Sequence, residues 1–384
     1  MLIAFLNFLR WYMHKKGEPV DIGPIRVFQY ISVRAGAALI FAFAISLLIG
    51  PWMIRRLRDL KAQQIIRRAS SEGAISLHDM HKAKEGTPTM GGLLILIAVF
   101  SSVFVFCGLY SRSVLLLSTM SIGFAALGFW DDYTKLLKKN HLGLPPRGKL
   151  IGQALLGFLL GLELWHGPWK VRYEPTGSVG YAYILIPFFK DLYPYIGFFF
   201  VLWVIGVMVS ASNAVNLTDG LDGLAIGTTV SSAAAFTVMA YMASRTDMSK
   251  YLYIPYVPDA GEVVVFGGAL LGASLGFLWF NSHPAQVFMG DTGSMMLGGA
   301  LGTMALLIKQ EVLLLLIGGI FVAEALSVMI QVTSYKLTGK RVFLMSPLHH
   351  HYEKLGLHEN KIILRFWTIS LLLALFGLAT LKLR

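Results

Sequence analysis

The strongest constraint on this chain is the length and spacing of its apolar runs. Ten of them, approximately Val27 to Ile49, Met90 to Tyr110, Ser113 to Trp130, Leu150 to His166, Tyr195 to Val215, Leu221 to Ala243, Val263 to Phe280, Ser294 to Ile308, Val312 to Val332 and Ile362 to Leu381, are separated by polar or Pro/Gly-rich breaks. A helix of about 20 apolar residues crosses the hydrocarbon core of a bilayer. Within lipid only helices and closed barrels satisfy every backbone polar group, and runs of this length select helices. The expected fold is an all-α polytopic membrane protein of about ten transmembrane helices, forming one domain over residues 1–384.

Composition agrees, with 55% hydrophobic and 14% charged residues and a mean hydropathy of +0.64, outside the range of soluble domains. Cys107 is the sole cysteine, inside the run S-S-V-F-V-F-C, so an internal disulfide and a cysteine metal site are both excluded. Any metal must be held by oxygen or imidazole. The net charge of +12 reads first as positive-inside bias, then as attraction to anionic lipid or a phosphorylated substrate, with nucleic acid the weakest reading. Met1 to Trp11 is too short and lacks the basic leader of a signal peptide, and is expected to lie at the interface.

With both termini outside, the loops Gly50 to Thr89, Asp131 to Lys149 and Thr333 to Arg365 lie inside and hold 19 of the 33 Lys and Arg residues. In that topology Asp131 and Asp132, Asn216 to Asp222, Asn281 to Asp291 and His349 to His351 all emerge on one cytoplasmic face. On the outer side, β-prone residues flank P-T-G-S within Lys170 to Pro187 and predict a small exterior hairpin. The chain shows no internal repeat of the kind that marks many transporters.

The polar breaks carry the chemistry. N-A-V-N-L-T-D-G-L-D-G sets Asn213, Asn216, Asp219 and Asp222 three residues apart at the edge of a span, where ionisable groups mark function. An ordinary Asn/Asp/Gly turn accounts for D-G-L-D-G but not for the two Asn before it. G-F-W-D-D-Y-T-K puts Asp131 beside Asp132, with Lys135, Lys138, Lys139, Arg147 and Lys149 following. Carboxylates at a helix C-terminus oppose its dipole and call for cationic compensation. W-F-N-S-H-P-A-Q-V-F-M-G-D-T-G-S joins Asn281 to Asp291, with Gly290 to Ser294 either presenting free N–H groups to an anion or using Asp291 as an N-cap. S-P-L-H-H-H-Y-E gives His349, His350 and His351, poorly spaced for one zinc and better suited to phosphate oxygens. Tyr352 to Ile362 is expected to form a short amphipathic helix at the lipid surface.

Two further features are Lys84 to Thr89 in a glycine-rich turn, and the stripe Glu324, Ser327, Gln331 and Ser334 along the ninth span. The stripe serves either helix–helix hydrogen bonding or a cleft. Five aspartates on one face repel unless a cation intervenes, and hard oxygen ligands select Mg2+ or Mn2+. The lysines and histidines then read as phosphate partners. Phosphoryl or pyrophosphate chemistry at a membrane surface follows.

Taken in order, G-T-P-T-M-G-G, the D-D-Y-T-K, N-L-T-D-G-L-D-G and M-G-D-T-G-S segments and P-L-H-H-H-Y-E resemble the bacterial phospho-N-acetylmuramoyl-pentapeptide transferases, of the polyprenyl-phosphate N-acetylhexosamine-1-phosphate transferase superfamily. The resemblance covers nearly the whole chain and implies a Mg2+-dependent enzyme of the bacterial inner membrane, commonly a homodimer. Its reaction moves phospho-MurNAc-pentapeptide from UDP-MurNAc-pentapeptide to undecaprenyl phosphate, giving lipid I and UMP for peptidoglycan. It implies Asp131, Asp132 and Asp291 as essential acids, with Asp291 and Asp219 toward the metal. Lys84, Thr89, Lys135, Lys149, Asn216, Asp219, Asp222, Asn281, Phe288, Gln331 and His349 to His351 match substrate-cleft positions, Phe288 as a uracil stacking partner. The segment Lys15 to Ile25 is longer than the family pattern. The alternatives are a transferase using UDP-GlcNAc and a cation-coupled transporter or lipid flippase.

Overall fold

The computed structural model describes residues 1–2, 23–60, 86–138, 143–167, 169, 171–173, 177–189 and 191–382. Lys84, most of Met1 to Trp11 and most of Lys15 to Ile25 lie outside the described residues. The helices are α1 Ile31–Asp59, α2 Gly92–Phe106, α3 Arg112–Lys138, α4 Pro146–His166, α5 Phe199–Thr218, α6 Leu224–Ala243, α7 Thr246–Leu252, α8 Ala260–Asn281, α9 Gly290–Leu307, α10 Leu314–Ile317, α11 Gly319–Thr338, α12 Leu348–Lys354 and α13 Glu359–Thr380. Nine of the ten apolar runs fall on one helix each, and the ninth in order, Val312 to Val332, falls on two.

Eight of these helices are long and apolar enough to cross a membrane: α1, α3, α4, α5, α6, α8, α11 and α13. Of the other two runs, α2 has 15 residues. The other, α9, is buried at every position from Thr292 to Leu307. A helix buried all round belongs at the centre of a bundle, and α9 packs on α3, α5, α2 and α6. Its neighbour α8 packs on α1, α6 and α2.

Close approach of α8 and α1 rests on small residues four apart. A methyl at Gly268 would strike the Ala35 carbonyl, one at Gly272 the Leu39 carbonyl, and one at Gly276 the Ser46 side chain. Lipid supplies no hydrophobic drive between helices, so such backbone contact is what holds membrane helices together.

The two ends of the bundle differ. At one end β1 Val171–Tyr173 and β2 Gly177–Val179 form the expected hairpin, antiparallel with Val171 opposite Val179. Buried pairs sit at this end: Arg34 Nη1 lies 2.7 Å from Glu262 and Lys309 Nζ 2.8 Å from Glu311. Both described ends of the chain are here, since the Met1 amine donates to the Phe104 carbonyl and Lys382 Nζ to that of Tyr251. At the opposite end all four polar segments meet, on the same side as Arg55, Arg56 and Arg58 in the last turns of α1.

Two boundaries depart from the sequence expectation. Instead of an amphipathic helix over Tyr352 to Ile362, α12 covers the histidines themselves; it ends at Lys354, two residues ahead of Gly356 at φ +85°. The ninth run is split at Gly318 into α10 and α11.

Gly272→Leu is expected to lower the thermal unfolding midpoint in detergent, since overpacking costs about 1–3 kcal/mol. Gly36→Leu on α1, where an added methyl meets nothing within 4 Å, leaves it unchanged.

Candidate active site

The site is assembled from helix ends: the last turns of α3, the first turn of α4, the end of α5 and the start of α9. Gly128 lets α3 and α9 touch, because a methyl there would collide with the Asp291 backbone. One turn further on, buried Asp132 turns both carboxylate oxygens onto the start of α9. Oδ1 accepts the Asp291 N–H at 3.1 Å, and Oδ2 accepts the Thr292 N–H at 2.9 Å and its hydroxyl at 2.7 Å. A carboxylate here satisfies orphan donors and meets the positive end of the dipole. The cap of α9 therefore comes from another helix. Asp291 does not cap α9, and its own side chain remains available for chemistry.

That side chain is the electrostatic focus. Asp291 Oδ1 accepts from Asn216 Nδ2 at 2.8 Å, while Oδ2 lies 2.8 Å from Lys149 Nζ and 3.2 Å from Lys135 Nζ. Asn216 also donates to the Ser294 hydroxyl at 2.8 Å. Lys135 reaches Asp131 Oδ2 at 2.6 Å and Asp132 at 3.7 Å, and Asp131 Oδ1 accepts the Leu144 N–H at 2.8 Å. Gln153, one turn after Lys149 on α4, exchanges hydrogen bonds with Asn213 at 3.3 and 2.7 Å and steadies the pairing of α4 with α5. It was not singled out from the sequence, where its spacing from Lys149 is the only signal.

One oxygen from each of Asp131, Asp132 and Asp291 lies within 4.8 Å of the others. Three hard oxygen donors with neither sulfur nor imidazole suit Mg2+ or Mn2+. Asp219, just past α5, stands outside that trio but within its field. Burial, then the charges of Asp291, Asp132 and Asp222, push its pKa up to about 8.

The remaining candidates divide by what occupies them. Thr89 Oγ1 lies beside Gly290 and thus near Asp132. Half-exposed Phe288 is held by backbone pairing, its N–H to Pro88 and its carbonyl to Gly91, both at 2.8 Å. Asn281 bridges two loops, accepting from Gly223 N–H at 3.0 Å and donating to the Val287 carbonyl at 2.8 Å. Asp222 Oδ2 accepts the Ala285 N–H at 3.0 Å and meets His283 Nδ1 at 3.1 Å, with Glu359 close enough to complete a second trio. Gln331 uses its amide on Val342 and Phe343. Among the histidines, His349 is buried, His350 meets Glu353 at 2.6 Å, and His351 Nδ1 accepts the Leu344 N–H at 3.2 Å.

Comparison with known proteins gives this geometry its family. Residues 114–309 match the family model of Glycosyl transferase family 4, and residues 84–96 match phospho-N-acetylmuramoyl-pentapeptide-transferase signature 1. The phospho-N-acetylmuramoyl-pentapeptide-transferase of Citrifermentans bemidjiense is 48% identical over 365 residues, 95% of this chain and 97% of that one. The protein of the same name from Geobacter sp. strain M21 is likewise 48% identical over 95% of this chain and 97% of its own. The chain belongs to the phospho-N-acetylmuramoyl-pentapeptide-transferase family. Membership fits a multi-pass membrane transferase, and the family model spans α3 to α9, the helices whose ends build the acidic site.

Asp291→Asn removes the charge that two lysines address, and is expected to lower turnover about 100-fold or more with little change in thermal midpoint. Asp132→Leu strips the start of α9 of its acceptor and lowers the thermal midpoint as well, by at least about 1 kcal/mol of stability. An Asp132→Leu protein that melts like the parent would overturn the capping assignment.

Proposed function

We propose that the protein transfers phospho-MurNAc-pentapeptide from UDP-MurNAc-pentapeptide to undecaprenyl phosphate, on the cytoplasmic side of the bacterial inner membrane, giving lipid I and UMP. The observation that carries this reading is the meeting of Asp131, Asp132 and Asp291 with Lys135 and Lys149 at one end of a membrane bundle. Family membership selects a transferase over a transporter. The concentration of Lys and Arg in loops at that end supports the cytoplasmic assignment. The same resemblance supports a homodimer.

In the reaction an oxygen of undecaprenyl phosphate attacks the sugar-linked phosphorus, the bond from that phosphorus to the bridging oxygen breaks, and UMP leaves. Asp131 is the base that takes the proton of the lipid phosphate: Asp132 has both oxygens occupied by the start of α9, whereas Asp131 accepts one backbone N–H, on Oδ1, and otherwise meets the side chains of Lys135 and Asp291. Lys135 and Lys149 neutralise the diphosphate, and Asn216 holds Asp291 in line. Asp291, within the acidic trio, would hold Mg2+, which would supply charge neutralisation for the leaving phosphate. Direct attack asks only for positioning and electrostatic stabilisation, which this arrangement provides. Exposed Phe129, Trp130 and Tyr133 beside the acids offer an apolar approach for the polyprenyl tail. Phe288 offers a face for uracil.

Purified protein given UDP-MurNAc-pentapeptide, undecaprenyl phosphate and Mg2+ is expected to release UMP and form a lipid-linked product. Chelation stops both and added Mg2+ restores them. Absence of product from folded protein would overturn the transfer, and equal turnover of UDP-GlcNAc would overturn the choice of donor.

A further inference from the structure

The polar stripe on α11 is only partly explained by the transfer reaction. Gln331 and Ser334 hold the loop that follows, through Val342, Phe343 and Lys340. Glu324 is different, because its side chain is 0% exposed and pairs with no Lys or Arg among the described residues. A carboxylate buried in this way is costly unless donors surround it. Three do: the Leu348 N–H at 2.7 Å, the His349 N–H at 3.2 Å and His349 Nδ1 at 3.1 Å. The residue before α12 is Pro347, which has no side-chain acceptor, so Glu324 caps α12 from another helix.

The consequence falls on one ring. A carboxylate only accepts, so Nδ1 of His349 carries the hydrogen in this bond. Nε2 is buried and has no hydrogen-bond partner among the described residues. The imidazole is therefore hydrogen-bonded from one side alone, and Glu324 sets where it lies. Its other edge rests against Gly220, where an added methyl would meet Nε2 before any other atom. Gly220 follows Asp219 in the turn that leaves α5.

We infer that Glu324 is a positioning residue for the transfer reaction: it fixes the His349 ring against Gly220, and the ring fixes the turn that presents Asp219 to the nucleotide-sugar. This rests on the proposed donor, UDP-MurNAc-pentapeptide. The stripe residue and the first histidine of the triplet thus form one device. Its order runs from α11 through α12 to the α5–α6 turn, with no contact to substrate needed from Glu324.

The test is steady-state kinetics on the full chain in detergent, with each substrate varied in turn. Glu324→Gln keeps the shape of the side chain but cannot accept all three hydrogen bonds. It is expected to raise KM for UDP-MurNAc-pentapeptide about tenfold while leaving KM for undecaprenyl phosphate unchanged. Residues acting as a unit are non-additive, so the double variant Glu324→Gln/His349→Gln is expected to be no worse than His349→Gln. Gly220→Ala, which displaces the ring from its other side, produces the same split and serves if Glu324→Gln does not fold. Equal rises in both KM values, multiplicative losses in the double variant, or unchanged kinetics in Glu324→Gln or Gly220→Ala would overturn the inference. Turnover by the parent protein in the same assay reports the donor assignment separately.

Discussion

The architecture depends on a carboxylate of one helix meeting the exposed N–H groups of another. Asp132, at the end of α3, takes the first donors of α9, and this bond joins the two helices whose ends carry the acids. A helix start inside a membrane protein cannot turn to bulk water for partners, so a missing acceptor there is expensive. The interaction needs α3 and α9 in backbone contact, which Gly128 permits. One constraint thereby sets the position of Asp131, Asp132, Lys135 and Asp291 together.

Charge balance builds on that frame. Carboxylates crowded in a poorly hydrated place raise one another's proton affinity; at Asp219 burial leads and the charges of Asp291, Asp132 and Asp222 push the same way. Lys135 and Lys149, arriving from α3 and α4, offset part of that repulsion. The arrangement suits a reaction whose substrates are themselves anionic. The surrounding hydrogen bonds of Asn216, Ser294 and Gln153 hold the lysines and acids in register without adding net charge.

Much of this was legible in the sequence. The ten apolar runs fixed the helices because lipid leaves the backbone few choices, and P-T-G-S announced the hairpin. Asp131, Asp132, Asn216 and Asp291 stood out because polar groups at span edges require a reason. What stayed hidden depends on partners far apart in the chain. Nothing local distinguishes Asp291 as a cap from Asp132 as a cap, since the answer lies in a contact between α3 and α9. The role of Glu324 is equally non-local: a stripe shows which face is polar, and only packing shows that α12 meets it. The misplaced helix over Tyr352 to Ile362 has a local cause, because the apolar pattern runs on past Gly356 while the backbone there turns left-handed.

The enclosure of α9 from Thr292 to Leu307 has a bearing on how the bundle holds together. A segment opening with Gly-Asp-Thr-Gly-Ser and rich in glycine gains little from contact with acyl chains. It becomes stable in the bilayer only when its neighbours already surround it. Burial of this segment and the placing of the acids then depend on the same neighbours, so whatever loosens α9 in the bundle also loosens the chemistry at its start.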